Sequence, residues 1–452
     1  MPISRSSSLL LFSFLFLTAC SQKLPAPGRI ADLDTLPQHV APYIAHLSPE
    51  DFFLPKDAQP GLAATYEARY FSPWENPLLP EKENPFAKIQ RFEGKELYGE
   101  NLLPRPDGWL EAMKGRMAPE KWPSMEKPAI SVTAISLRML PTVSPLFYNP
   151  SDSGEGFPFD YQQDSLIPPG TPLLVRHASV DQDWYFVKAP WLSGWVRSQE
   201  IAWVDENFME AFRSPEKITF MWDEVPVFTE DGAFALQGRV GMILPRHPAK
   251  EDDGKEYFFV GLPLRGADGR AVLGKGRVLK TLAHSWPIPA THENFQRIAE
   301  GLIGKNYGWG GLYENRDCSA LTQDIYAAFG LPLPRNSSQQ AKASQWIALD
   351  DLSAKEKETR IIEEARPLGT LLFMPGHVML YLGQDPVSGK PVALHSLWGL
   401  RTRVSGKTGR WVIGKTVITS LKPGEELPHL ARPDGVILER ITGMGHVQNA
   451  PE

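Results

Sequence analysis

The spacing of proline decides what the first quarter of this 452-residue chain can become. Between residues 21 and 125, Pro25, Pro27, Pro37, Pro42, Pro49, Pro55, Pro60, Pro73, Pro77, Pro80 and Pro85 recur too closely for long periodic elements, because each fixes φ and removes a backbone donor. Short helices and extended wraps are expected there. Leu47-Ser48-Pro49-Glu50 reads as a helix start, with serine as cap and proline in the first turn. Phe52, Phe53, Tyr66, Tyr70, Phe71 and Trp74 favour a clamp or lid over the later units rather than a structureless linker.

The length suggests about three domains. Hydrophobic content of 42% and charged content of 22% are those of a globular chain, which excludes wholesale disorder. A net charge of −6 provides no broad basic surface. Nucleic acid as main partner and electrostatic adhesion to anionic lipid are thereby excluded.

At the N-terminus, Arg5 precedes an apolar run from Leu9 to Leu17, too short to span a bilayer and placed as an export signal would be. It ends Leu17-Thr18-Ala19-Cys20, which resembles the lipobox of bacterial lipoproteins. That resemblance implies removal of residues 1–19, a lipid on Cys20 and a lipid-anchored place in the cell envelope. Ser21 after the cysteine implies the outer membrane, facing the periplasm. Ordinary signal cleavage with a chance cysteine is the alternative.

From about residue 129 the texture turns to short β-rich runs. Ala129–Thr133, Pro172–Arg176 and Trp184–Lys188 suggest a small barrel. Ser179 to Val187, followed by Ser193-Gly194-Trp195-Val196, resembles bacterial SH3-like domains. Val225–Phe228, Tyr257–Leu264 and Gly276–Leu279 suggest a second, diverged barrel, and Glu206–Phe212 a connecting helix. After Pro287 and Pro289, Phe295, Ile298, Ala299 and Leu302 mark one helix face. Leu321, Ile325, Ala328 and Phe329 mark a second helix, starting at Asp317 or Cys318 and ending at Gly330. Four strand-like runs follow, Thr370–Phe373, His377–Gly383, Pro391–His395 and Thr416–Thr419. The expected organisation is a signal peptide (1–19), a proline- and aromatic-rich wrapping segment (20–127), two barrels (128–206 and 207–286), a helix-plus-antiparallel-sheet domain (287–440) and a tail (441–452).

Once Cys20 is lipidated, Cys318 is the one thiol left, without an intramolecular partner in an oxidising compartment. Asp317 can cap the helix and leave Cys318 in its first turn, where unpaired N–H groups favour a thiolate and a developing oxyanion. A small buried core residue is the alternative. His377 begins a strand after Met374-Pro375-Gly376 and is the candidate general base. His395, ending an apolar run, can accept the N–H of His377 and fix its tautomer. The remaining histidines lack such a setting.

Tyr307-Gly308-Trp309-Gly310-Gly311, Asp317-Cys318-Ser319, Leu333-Pro334-Arg335, Gly376-His377-Val378 and His395 together resemble the NlpC family of bacterial cell-wall cysteine peptidases, over residues 290 to 420. With the barrels and the proline-rich leader, the chain is similar to γ-D-glutamyl-L-diamino acid endopeptidases that carry paired SH3-like domains. The resemblance implies a multidomain α+β protein with a papain-like catalytic domain. It also implies hydrolysis of the bond between D-glutamate and the diamino acid of peptidoglycan stem peptides. By it, Cys318 is the nucleophile, His377 the base and His395 the orienting residue. Tyr307 assists the oxyanion or nucleophile, while Trp309, Asp317 and Ser319 line the groove. Tyr307 and Trp309 can instead be core aromatics, and Asp317 only a cap.

Relatives in that subgroup select a free N-terminal L-alanine. They place an acidic residue after the Pro-Arg pair, where this chain has Arg335-Asn336-Ser337, so Asn336 offers the amine a neutral acceptor. Tyr161, in Phe159-Asp160-Tyr161, is the candidate contribution of the first barrel, a core or surface aromatic being the alternative. No metal or organic cofactor is expected, and a monomer is. Two rival readings remain at this point: a hydrolase of intact, glycan-linked murein, and a non-catalytic wall-binding protein.

Overall fold

The computed structural model of the chain describes residues 28–75, 86–247 and 256–447. The leader and Cys20 lie outside these residues. No helix among them is long and apolar enough to cross a membrane.

The N-terminal segment departs from the expectation of short helices only. Helix α1, Gln59–Glu75, runs 17 residues through two prolines. Pro60 sits in the first turn, where its missing N–H has no intrahelical partner to lose, and Pro73 sits in the last. Ala63, Tyr66, Tyr70 and Phe71 form its buried stripe. Leu47-Ser48-Pro49-Glu50 starts no helix: it is a turn closed by Asp51 N–H on Ser48 O at 3.1 Å, and that carbonyl also takes a ring nitrogen of His292 at 2.7 Å. The segment touches every later unit. Asp32 accepts from the backbone and hydroxyl of Ser420, and Phe53 packs edge-on against Phe295 and Phe329. Gln59 bonds to Ile288 O and Phe329 O, the Tyr70 hydroxyl to Gly170 O, and Lys217 to Glu67.

The first barrel is a seven-stranded antiparallel sheet between Lys127 and Trp203. Its interior is the alternating set Ala129, Ile135, Leu137, Leu173, Val175, Val187 and Val196. Helix α2, Glu206–Phe212, is capped by Asp205, which accepts from Phe208 N–H, and leads to the second barrel. There a four-stranded and a three-stranded sheet, between Lys217 and Trp286, enclose Val225, Val227, Val260 and Leu262.

The last unit opens with helix α3, His292–Glu300, and helix α4, Cys318–Ala328. Helix α5, Ser337–Lys342, is followed by strand β1, Gln345–Ala348, and helix α6, Ala354–Glu364. The remaining strands are β2, Thr370–Met374, β3, His377–Gln384, β4, Pro391–Val404, β5, Lys407–Ser420, and β6, Gly443–His446. They form one antiparallel sheet in the order β1-β6-β2-β3-β4-β5. Helix α4 packs on one face of that sheet, burying Leu321, Ile325 and Phe329 in the same core as Val378, Leu380 and Leu394. Strand β6 pairs with both β1 and β2. The domain therefore continues through the residues expected as a tail and does not stop at 440.

Candidate active site

Cys318 is the first residue of α4 and is 8% exposed. The Asp317 side chain caps the helix by accepting from Ala320 N–H at 2.8 Å. The backbone N–H groups of Val378 and Ser319 are directed at the sulfur, so the thiol lies against the peptide that follows His377. A turn between β2 and β3, with Met374 opposite His377 across the ladder and Gly376 at positive φ, brings His377 to the start of its strand.

Behind His377 runs a buried hydrogen-bonded chain. His377 Nε2 and His395 Nδ1 are 2.8 Å apart, and His395 Nε2 lies 3.1 Å from the Thr419 hydroxyl. That hydroxyl is 2.7 Å from Ser420 O. A carbonyl oxygen can only accept, so the threonine proton points at Ser420 and its oxygen accepts from His395 Nε2–H. His395 Nδ1 is then a lone pair that accepts from His377 Nε2–H. The tautomers follow in sequence, and His377 Nδ1 is left unprotonated.

Burial pushes the Cys318 thiol up to about 12, the Asp317 carboxylate acting in the same direction and the N–H of Val378 against it. Burial likewise pulls His377 down to about 4, helped by the charge of Arg440 and opposed by Asp317. His395 is held well below its usual value by burial and by His377. Burial thus favours the uncharged thiol and the uncharged imidazole over an ion pair. The sequence reading expects a thiol acidified by the helix terminus; desolvation of a nearly buried sulfur outweighs that field.

Asp317 does more than cap. Arg335, itself buried, grips it with two bonds of 3.0 and 2.7 Å, and Gly310 N–H donates to Asp317 Oδ2 at 3.0 Å. Ser319 Oγ donates to the same carboxylate at 3.2 Å and accepts from Arg335 at 2.9 Å. Both side chains expected in the groove thus have their polar atoms engaged inside the protein. Arg335 Nε reaches the first barrel at Ser165 Oγ, 2.9 Å away.

That barrel forms a wall of the site. Trp309 stands edge-on to Phe159 at 5.1 Å and near Tyr161 at 6.0 Å, while Tyr307 meets Trp398 at 5.7 Å. The Tyr307 hydroxyl lies close enough to Asp317 and Cys318 that, after burial, the carboxylate and, once ionised, the sulfur raise it further. Tyr161 faces Tyr148 at 4.4 Å and donates to Glu155 at 2.9 Å. The approach requires glycine at two adjacent positive-φ positions: a Cβ on Gly310 would stand 2.3 Å from Gln163 O, and one on Gly311 2.5 Å from Leu166 Cβ. Gln163 instead donates to Gly310 O at 2.9 Å.

Of the expected residues, Cys318, His377, His395, Tyr307, Trp309, Asp317, Ser319 and Tyr161 converge here. Asn336 occupies the N-cap position of α5 without a side-chain capping bond. Ser337 lines an open groove beside His377 with Lys342, Ser344, Trp346, Phe373 and Thr442. Sequence reasoning missed Thr419, which carries no mark beyond being a strand residue, and left Arg335 without a role. Among the described residues, no group of three or more His, Cys, Asp or Glu side chains could hold a metal ion.

Comparison with known proteins accords with this architecture. Residues 304–404 match the NlpC/P60 family, 145–197 an SH3 domain of SH3b1 type and 205–251 an SH3 domain of SH3b2 type. Residues 9–122 match the N-terminal stabilising domain of NlpC/P60 proteins. The chain is 31% identical over 113 residues to a γ-D-glutamyl-L-lysine dipeptidyl-peptidase of Bacillus subtilis, covering 24% of this chain and 36% of that protein. It is 32% identical over 123 residues to a probable endopeptidase of Corynebacterium glutamicum, covering 25% of this chain and 53% of that protein. A solved structure described as a novel NlpC/P60 endopeptidase from Photobacterium damselae subsp. piscicida shares the fold, with a TM-score of 0.80 at 23% identity, over 92% of this chain and 98% of the other. The matched region thus spans between about a third and a half of the curated relatives' length. The chain carries a domain that matches the NlpC/P60 family behind two SH3-type domains and the N-terminal stabilising domain of that family.

Proposed function

We propose that the protein hydrolyses the γ-D-glutamyl bond to the diamino acid of peptidoglycan stem peptides, with Cys318 as nucleophile and His377 as base. The carrying observation is the placement of the Cys318 sulfur at a helix start beside the His377–Val378 peptide, with His377 backed by His395 at 2.8 Å. As the sulfur attacks the γ-carbonyl carbon, its proton passes to His377 Nδ1 and the carbonyl electrons move onto oxygen. First-turn N–H groups of α4 and the Tyr307 hydroxyl receive that oxyanion. The tetrahedral adduct collapses, the C–N bond breaks, and His377 returns the proton to the leaving amine. Water, deprotonated by the same imidazole, then displaces the thiolate and releases the glutamyl acid.

The first barrel supports a preference for short peptides with a free N-terminal L-alanine. Its aromatic residues stand against Trp309, and in this reading Glu155, held by Tyr161, supplies a carboxylate for an ammonium group, with the Asn336 amide a second acceptor. The test is cleavage of L-Ala-γ-D-Glu-diaminopimelate. Cys318→Ala is expected to abolish turnover with an unchanged melting profile, and blocking the L-alanine amine to slow the wild type. Turnover surviving in Cys318→Ala would exclude the mechanism; sacculi cut faster than free tripeptide would exclude the short-peptide preference.

A further inference from the structure

The turn that delivers His377 is one its own sequence holds poorly. Met374 and His377 are partners across the β2–β3 ladder, which leaves Pro375 and Gly376 as a two-residue turn. Turns of that length suit the twist of their strands when the first residue has positive φ, and the ring of Pro375 forbids it. With Gly376 at φ +78°, the pair has the residues of a type II turn, which differs from type I by rotation of the one peptide between them. The oxygen of that peptide is Pro375 O and its N–H is that of Gly376. A group that holds Pro375 O therefore fixes the turn and the start of β3.

Arg440 holds that oxygen. It ends the short helix Ile437–Arg440 and donates to Pro375 O at 3.3 Å. The chain is secured on both sides of it. Lys357 of α6, itself 4% exposed, donates to Glu439 O and Ile441 O at 2.9 and 2.8 Å, and Thr442 N–H donates to Phe373 O of β2 at 2.9 Å. The guanidinium thus reaches the turn from a base that α6 and β2 keep in place. Its charge also bears on the imidazole: after burial, Arg440 is the largest influence pulling His377 down, and Asp317 opposes it. The other titratable groups that face His377 are His395 on β4, 2.8 Å away, Cys318 at the start of α4, whose sulfur takes the Val378 N–H, and Lys342 of α5, in the groove that His377 shares.

We propose that Arg440 is a positioning residue for His377: by holding the Pro375 carbonyl it fixes the turn from which the imidazole is presented to the Cys318 sulfur. The inference rests on the peptidase reading above, in which His377 is the base.

The turn is tested first without turnover, through the backbone amide resonances of Gly376 and His377. They are expected to be single in the wild type and in Arg440→Lys, and doubled or broadened in Arg440→Gln as the freed peptide turns over. On L-Ala-γ-D-Glu-diaminopimelate, Arg440→Gln is expected to lower kcat roughly five- to tenfold, the worth of one hydrogen bond, with KM unchanged and Arg440→Lys restoring most of the rate. The acid limb of kcat/KM in Arg440→Gln is expected to move to higher pH by about half a unit, because removing a repelling cation favours the imidazolium; in Arg440→Lys it stays in place. Single, sharp Gly376 and His377 resonances in Arg440→Gln would overturn the positioning role. So would a KM that rises while kcat holds, which would put Arg440 on the substrate instead. Resonances that respond as expected in an enzyme whose wild type cleaves no peptide would overturn the peptidase reading alone.

Discussion

Replacing Arg335 by methionine tests whether the helix that begins at Cys318 is held by a buried ion pair. Arg335 is 5% exposed and Asp317 is 9% exposed, joined by bonds of 3.0 and 2.7 Å. Removing one partner of a buried pair costs about 3–5 kcal/mol, because the remaining charge stays desolvated. Nothing is added for the two serines that Arg335 touches, since Ser319 Oγ keeps Asp317 and Ser165 Oγ keeps Leu166 O. The folded-to-unfolded ratio should therefore fall roughly a few hundredfold to a few thousandfold at pH 7. The sign with pH follows from the carboxyl. In the wild type burial would raise it, but Arg335 and two N–H groups hold it below its ordinary value, so its contribution is complete above pH ~4 and is lost as pH falls further. In Arg335→Met burial is opposed only by the N–H groups and the Ser319 hydroxyl, and the carboxyl rises. A raised carboxyl binds protons in the folded state, so the variant loses stability as pH climbs from about 4 to the new value. Urea unfolding followed by tryptophan fluorescence should show a gap to the wild type that is wide at pH 7 and narrower at pH 5. Adding Asp317→Asn should recover part of the loss, as no charge is then left buried. A gap below about 1 kcal/mol, well short of the buried-pair range, or one that widens on acidification, would refute the reasoning.

Two further outcomes follow from the chain behind His377. Thr419→Val removes the acceptor that orients His395, and kcat should fall roughly five- to tenfold, the worth of one hydrogen bond, with KM unchanged and Thr419→Ser restoring activity; a serine variant as slow as valine would mean the site needs only the shape. With the thiol at about 12 and His377 at about 4, alkylation of Cys318 by iodoacetamide should climb steeply above pH ~8. A rate already on its plateau from pH ~5 would reveal a standing thiolate–imidazolium pair instead.

The parts of the site that were legible in the sequence are those with local signatures. Asp317-Cys318 before an apolar stripe announced a capped helix, and the turn before His377 announced a strand start. Glu206–Phe212 emerges with the bounds its pattern suggests. What was illegible depends on neighbours distant in the chain. Strand β6 reads as a tail because Gly443 and Gly445 lack side chains, yet a Cβ on Gly443 would stand 2.2 Å from the Trp346 ring and one on Gly445 1.9 Å from Ser344 Oγ. Close approach demanded glycine there and erased the strand pattern. Helix α1 was hidden by its prolines: Pro60 stands in the first turn, which tolerates it, and Pro73 in the last, where it gives up one bond of the closing turn. The raised thiol was illegible too, because the helix field is local whereas desolvation of the sulfur depends on residues such as Val378, on a strand sixty residues on.

Two arginines beside the Cys318 turn explain why the barrels cannot be detached modules. Arg316, immediately before Asp317, is buried between Asp223 of the second barrel and Asp324 of α4, and its carbonyl accepts from Ser396 on β4 at 2.7 Å. The Asp223 carboxyl, which burial would raise, is instead held at about 2 by that arginine. On the other side, Arg335 ties Asp317 to Ser165 of the first barrel. The second barrel thus ends in a polar contact two residues from Cys318, and the first in a contact to the arginine that grips Asp317, in a dry setting where an orphaned charge is costly. Freed of the barrels, Arg316 would lose Asp223, Arg335 would lose Ser165, and the glycine pair at 310–311 would lose the strand it was shaped to meet. The SH3-type units therefore serve as the walls and struts of the cysteine's own turn.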